Sequence, residues 1–158
     1  MPSLDHLDLA LLAELEADAR LSVSELSRRL GAPSSTVRDR MRGLEESGVI
    51  LGYTTVIDHE KLGLGIKAII QVTRDQDFSL KEFYAEPVGF HEVTCVQLVT
   101  GETDELITVY ASDVDQLKDI IYNKVGSLPG LTRSNTAIVL EEERFPLTRR
   151  FLVGREQD

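Results

Sequence analysis

The chain has one cysteine in 158 residues and no tryptophan. A lone cysteine closes no intramolecular disulfide, and three scattered histidines (His6, His59, His91) add no zinc-site spacing, so neither a metal nor another cofactor is expected. Basic residues are also scarce: 17 Lys and Arg against 27 Asp and Glu leave a net charge of −10, which excludes a uniformly basic coat that wraps nucleic acid. Any basic surface must be local. No run approaches the roughly 18 apolar residues of a membrane span, and the opening Met1-Pro-Ser-Leu-Asp5 lacks the basic-then-apolar pattern of a secretory signal. A cytoplasmic protein without a membrane partner is expected.

What is present is 42% hydrophobic and 28% charged, a globular balance. Leu7, Leu11, Leu12 and Leu15 fall at helical spacing, and Asp5 and Asp8 suit the positive end of that helix. Ser22-Val-Ser-Glu25 is a capping-box spacing; the helix it starts carries Leu26 and Leu30 inward and stops at Gly31. A third helix begins in Ser34-Ser35-Thr36, continues through Val37, Met41 and Leu44, and ends at Gly48. Beyond it, Tyr53-Thr-Thr-Val-Ile57 reads as a strand leaving the helical unit. Asp58 to Gly65 reads as a hinge between two domains.

The second part alternates by type: strand Ile66 to Thr73, helix Ser79 to Ala85, strand Glu92 to Thr100, strand Leu106 to Ala111, helix Asp113 to Ser127, strand Thr132 to Leu140. Two βαβ units joined by the Gly101 to Glu105 hairpin make a ferredoxin-like βαββαβ sandwich, so the whole is α+β. Its strands lack clean apolar/polar alternation, so both sheet faces read as buried. Either the chain's own ends or a second copy covers the second face, and an isologous homodimer is the favoured reading. The resulting domains are 1–57, a hinge at 58–65, an α/β domain at 66–147 and a C-terminal tail at 148–158. Cys95, mid-strand among apolar neighbours, reads as an inert core residue. His59 and His91 carry no assigned role, and Glu141-Glu-Glu143 reads as a solvated strand end.

The helices between Ser22 and Ser47 have helix-turn-helix spacing, with glycine in the turn and the first helix as support. Placing Val37, Met41 and Leu44 inward turns Ser35, Asp39 and Arg42 outward, with Arg38 on one flank and Arg40 and Thr36 on the other. Arginine can bond guanine O6 and N7, while Ser34, Ser35 and Thr36 and the helix-start N–H groups reach phosphate oxygens, so double-stranded DNA is the expected partner. Asp39 is either a partner for a neighbouring arginine or an acceptor for cytosine N4. From Ser24 to Gly43 five arginines face only Glu25 and Asp39, a local charge of +3 in an acidic chain.

In order and spacing these residues resemble the Lrp/AsnC (feast/famine) transcriptional regulators from Leu4 to about Leu147. The first domain carries the resemblance in Leu4-Asp5, Asp8 and Leu11-Leu12, then Arg20-Leu-Ser, the run Ser35 to Glu46, Gly48-Val-Ile-Leu-Gly-Tyr53 and Leu62-Gly-Leu-Gly65. The second carries it in Thr100-Gly-Glu-Thr-Asp104, similar to the family's Gly-x-x-Asp turn, and in Leu128-Pro-Gly-Leu-Thr-Arg133 with Thr136 and Leu140. The resemblance implies a winged-type helix-turn-helix domain joined to a ligand-responsive domain that dimerises and often assembles further, into octamers among others. It also implies a small effector, commonly an amino acid, near the hairpin, placing Leu98, Gly101, Thr103, Asp104, Thr136, Ala137 and Ile138 at that site. Two departures stand out. Ala32-Pro-Ser34 replaces the more usual Leu-Ser-Pro, which shifts the expected capping role to Ser34, and Glu102-Thr103 replaces a bulky residue ahead of the aspartate. No catalytic constellation is read. The rival readings are a sirohaem-decarboxylase-like enzyme and an effector-binding partner protein without DNA contact.

Overall fold

The structure is a computed structural model that describes residues 4–75 and 89–148. Its contacts divide the chain into two units, 1–56 with 143–158, and 57–142. The boundary falls between Val56 and Ile57, ahead of the hinge read from composition, and the stretch beginning at Glu143 returns to the helical unit.

The helical unit holds α1 (His6–Ala17), α2 (Val23–Leu30) and α3 (Ser34–Glu46). Asp5 and Asp8 form a reciprocal capping box on α1, and Ser22 and Glu25 form another on α2, so each helix start satisfies backbone N–H groups with its own side chains. Gly31 closes α2 in the left-handed conformation at φ 63°. The core is Leu11, Leu15, Leu26, Val37 and Leu44, with Met41 and Leu30 packed against it. In α3 the expected cap is absent: Pro33 is the cap residue with no side-chain bond, and Ser34 is already helical. Proline fixes the entry angle just before the helix, leaving Ser34 inside the first turn rather than capping it. No strand forms over residues 51–58. Strand propensity there meets no ladder partner among the described residues, and Leu51 and Val56 are 95% and 90% exposed.

The second unit is a four-stranded antiparallel sheet of β1 (Ile66–Arg74), β2 (Val93–Leu98), β3 (Glu105–Ala111) and β4 (Leu131–Ile138), in the order β2-β3-β1-β4. That order is the ferredoxin-like one expected of two βαβ units. α4 (Val114–Asp119) starts on an Asp113 cap and runs on through a π turn, Ile120–Lys124, and a 3-10 turn, Val125–Ser127. Its Leu117, Ile120 and Val125 pack on Ala68, Ile70, Val72, Ile107, Val109 and Ala111. The expected helix Ser79 to Ala85 lies outside the described residues.

Burial alternates along β1 and β3, so one sheet face forms the core and the other stays open in the single chain. The open face carries Ile69, Gln71 and Thr73 of β1, with Ala137, Asn135 and Arg133 opposite them on β4. Leu106 and Thr108 continue it on β3, with Gln97 and Cys95 opposite them on β2. The reading of two buried faces is therefore corrected for the chain by itself, where Gln71, Gln97, Asn135 and Ala137 are all exposed. Cys95 is exposed too, contrary to its reading as a core residue, because the pairing puts it opposite Thr108 and away from the helix side. At one end of this face His59 stacks on Tyr110 at 4.0 Å between ring centres.

Candidate nucleic-acid interface and effector site

The turn from α2 to α3 is held by a hydrogen bond from Ala32 N–H to the Ser27 carbonyl, and the Ser27 hydroxyl donates to the Ala32 carbonyl at 2.6 Å. With Val37 and Leu44 fully turned into the core, α3 presents Ser34, Ser35, Arg38, Asp39 and Arg42 to solvent and leaves Thr36 half-buried. Ser35, Asp39 and Arg42 face outward as the helical wheel has them, and Arg38, set on a flank by the wheel, is as exposed as they are. Arg38 makes no ion pair among the described residues. The Arg42 guanidinium is 3.9 Å from the Asp39 carboxylate, both exposed, so Asp39 acts in the free chain as a loose neighbour of that arginine.

Two of the five arginines that sequence placed in the basic patch are engaged within the protein. Arg40 bridges back to α1, 2.8 Å from the Asp5 carboxylate and 3.1 Å from that of Asp8. Asp8, followed by Asp5, holds its guanidinium more firmly charged than usual. Arg29 is tied to Glu14 at 2.7 Å. The presented cations are therefore Arg28, Arg38 and Arg42. The correction has a simple cause: Arg40 leaves the helix one turn from Thr36 on the flank that faces α1, where two cap carboxylates already stand.

In the second unit the hairpin between β2 and β3 is built by the residues singled out for an effector. Gly101 sits at φ 130°, a region favouring glycine. The Thr103 hydroxyl donates to the Val72 carbonyl at 2.8 Å, and the Asp104 carboxylate accepts from the Arg74 N–H at 2.9 Å. Beneath them Arg74 and Glu105, both buried, pair at 3.0 Å, and an Arg74 guanidinium N–H points to the Pro129 carbonyl at 3.4 Å. Burial pushes the Glu105 carboxyl above its ordinary range against the pull of Arg74.

Beside the hairpin, on the open face, lies a cavity of about 210 Å³ lined by Gln71, Thr73, Glu102, Thr103, Arg133 and Asn135. Of the residues named from sequence only Thr103 lines it. Thr136 and Ile138 pair with Ile70 and Ala68 and share their side of the sheet, while Ala137 is on the open face beyond Asn135. Leu98 also falls on the helix side, opposite Glu105. The missed signal is Gln71, a polar residue in the middle of the apolar run Ile69-Ile-Gln-Val72. Among the described residues no group of three or more His, Cys, Asp or Glu side chains is placed to hold a metal ion. No helix among them is long and apolar enough to cross a membrane.

A helix-turn-helix unit followed by a four-stranded α/β unit defines the class of DNA-binding regulator with a separate ligand domain. Family comparison agrees: residues 4–50 match the winged helix-turn-helix DNA-binding model, and residues 67–145 match the Lrp/AsnC ligand binding domain. The chain belongs to the Lrp/AsnC family of transcriptional regulators. It is 37% identical over 139 residues to the regulator LrpA of Pyrococcus abyssi, covering 87% of this chain and 96% of that one. It is 32% identical over 142 residues to the proline dehydrogenase transcriptional activator of Rhizobium radiobacter, covering 87% and 90% respectively. A transcriptional regulator of Neisseria meningitidis solved in complex with L-methionine superposes with a TM-score of 0.85 at 26% identity, over 92% of this chain and 96% of that one.

Proposed function

We propose that this regulator reads duplex DNA through α3, with Arg38 and Arg42 as the side chains that reach base edges or phosphates and Ser34, Ser35 and Thr36 at the backbone. Asp39 tunes Arg42 or accepts from a cytosine. The observation that carries this reading is the sorting of the arginines: Arg38 and Arg42 stand exposed on one face of α3, while Arg40 and Arg29 are tied to carboxylates of α1. An amino acid is the proposed small effector, supported by the L-methionine complex of the Neisseria relative. A second copy docked on the open sheet face gives the paired recognition helices that two half-sites require. Larger assemblies such as octamers extend the same reading, as does a cytoplasmic location.

The test is fluorescence anisotropy of the full chain on genomic fragments recovered by pull-down with it, across a salt series. Arg38→Ala and Arg42→Ala should each weaken binding by about 1–3 kcal/mol where a base contact is lost, or flatten the salt slope by about one where a phosphate contact is lost. Binding unchanged in both variants would remove α3 as the reading helix and leave an effector-binding partner protein as the better description.

A further inference from the structure

We infer that Asp39 and Arg42 act as a couple that reads one whole G·C base pair in a single orientation, while Arg38 reads a second guanine two base-pair steps away. The DNA under each reading helix then carries two G·C pairs at fixed spacing. The inference rests on the reading of α3 as the helix that contacts DNA and adds to it the bases read.

Three observations carry it. First, the outward side chains share one face. With about 3.6 residues per turn, Ser35, Arg38, Asp39 and Arg42 fall within an arc of about 100°, and all of them are exposed. Arg40 leaves the helix nearly opposite Arg38 and is held 2.8 Å from the Asp5 carboxylate, which keeps that face turned outward. Glu46, exposed one turn beyond Arg42, ends the basic stretch. Second, the Arg42 guanidinium lies 3.9 Å from the Asp39 carboxylate, both exposed. A contact of that length in water is loose, so each partner gives it up to a better one while staying beside the other. The major-groove edge of a G·C pair shows the guanine acceptors N7 and O6 next to the cytosine N4–H donor. Arg42 brings paired donors and Asp39 an adjoining acceptor, the complement of that edge. In the reversed pair the carboxylate would meet guanine acceptors. In an A·T pair the adenine acceptor and donor alternate, so the paired donors of Arg42 would meet one of each. Third, the face has nothing built for an A·T pair. No Asn or Gln in α3 can bond adenine N6 and N7 together, and none of the outward side chains carries a methyl group for thymine. Arg38, without an ion pair among the described residues, stands about 6 Å from Arg42 along the helix axis. Two base-pair steps of roughly 3.4 Å are nearly as long, so a helix laid along the groove brings Arg38 to a guanine of its own.

The experiment selects binding sites from a randomised duplex library with the full chain, then measures fluorescence anisotropy on the selected duplex and on base analogues of it. Selected sites should share two G·C pairs two steps apart in each half-site. Reversing the pair assigned to Asp39 and Arg42, or replacing it by A·T, should weaken binding about tenfold. N4-methylcytosine in that pair, which sets a methyl group where the outward N4–H stood, should cost the wild type about fivefold and Asp39→Ala nothing further. 7-Deazaguanine, which lacks N7, should cost the wild type about fivefold at either guanine. Arg42→Ala should abolish that loss at the first guanine only, and Arg38→Ala at the second only. The three side chains are exposed, and circular dichroism of each variant checks the fold. Selected sites without these G·C pairs, or analogue losses that persist when the matching residue is replaced, overturn the base assignment; α3 stands as the reading helix so long as Arg38→Ala and Arg42→Ala still weaken binding. Equal binding of the selected duplex by the wild type and all three variants overturns both readings, as does a library that yields no enriched sequence.

Discussion

Arg40 of α3 donates to both carboxylate oxygens of Asp8 at 3.1 Å, across 32 residues of sequence. Asp8 is 6% exposed and also caps α1 through the Asp5 N–H, so one carboxylate joins a helix start to the neighbouring helix. This fixes the rotation of α3 about its own axis, and with it which side chains face outward.

Arg40→Ala should therefore act on the fold rather than on nucleic-acid contact. The variant should melt at a lower temperature than the wild type, while the slope of log affinity against log salt on DNA stays the same. A slope reduced by about one with an unchanged melting temperature would mean that Arg40 neutralises a phosphate after all.

Gly31 closes α2 at φ 63° with nothing within 4 Å of an added Cβ, so the cost of a side chain there is conformational rather than steric. Gly31→Ala should destabilise the helical unit by about 1–2 kcal/mol in urea unfolding, and Gly31→Asn by less, since asparagine visits the left-handed region more readily. Equal losses would point to a contact made by the glycine itself.

The buried Arg74–Glu105 pair should show the asymmetry of interior ion pairs. Glu105→Leu leaves a guanidinium in the core and should cost about 3–5 kcal/mol, whereas Arg74→Leu with Glu105→Leu should recover most of that loss. Because the Glu105 carboxyl is raised by burial, its protonated form favours the fold. This contribution is fully present below the unfolded-state value of about 4.3 and is lost as pH rises through the folded value, so the wild type should decline in stability over that window relative to Glu105→Gln.

Glu16 behaves in the opposite sense. Burial pushes its carboxyl up, but hydrogen bonds from the Thr148 and Leu147 N–H groups outweigh that and bring it below its usual range. Its contribution is present above about 4.3 and lost as pH falls through the lowered folded value. In an NMR titration the Leu147 and Thr148 amide protons should shift together with a midpoint below that of a free glutamate, and Glu16→Gln should abolish the transition.

Local features were the most legible from sequence. The Ser22–Glu25 capping box, the Gly31 stop and the outward face of α3 depend on residues within one or two turns, and the strand and helix alternation beyond Ile66 dictates the sheet order once crossover handedness is applied. What escaped depends on partners distant in sequence. Nothing near Arg40 announces that Asp5 and Asp8 will stand beside it. The side of the sheet taken by Cys95 follows from a register shift between Val93 and Cys95, which periodicity does not encode. The cavity needs Gln71, Glu102 and Asn135 brought together from two strands and a hairpin, and only the odd glutamine in an apolar strand hinted at it. Tyr53 to Ile57 shows the converse: propensity was present, but no neighbouring strand among the described residues met it.

The exposed Cys95 gives the experimenter a practical gift. Being the sole thiol in the chain, it accepts one maleimide dye at one known place with no engineered variant, on the same face as Arg133 and Asn135. The emission colour of that dye would turn blue whenever the surface dries, so docking of one copy on another could be followed in real time and at nanomolar dilution.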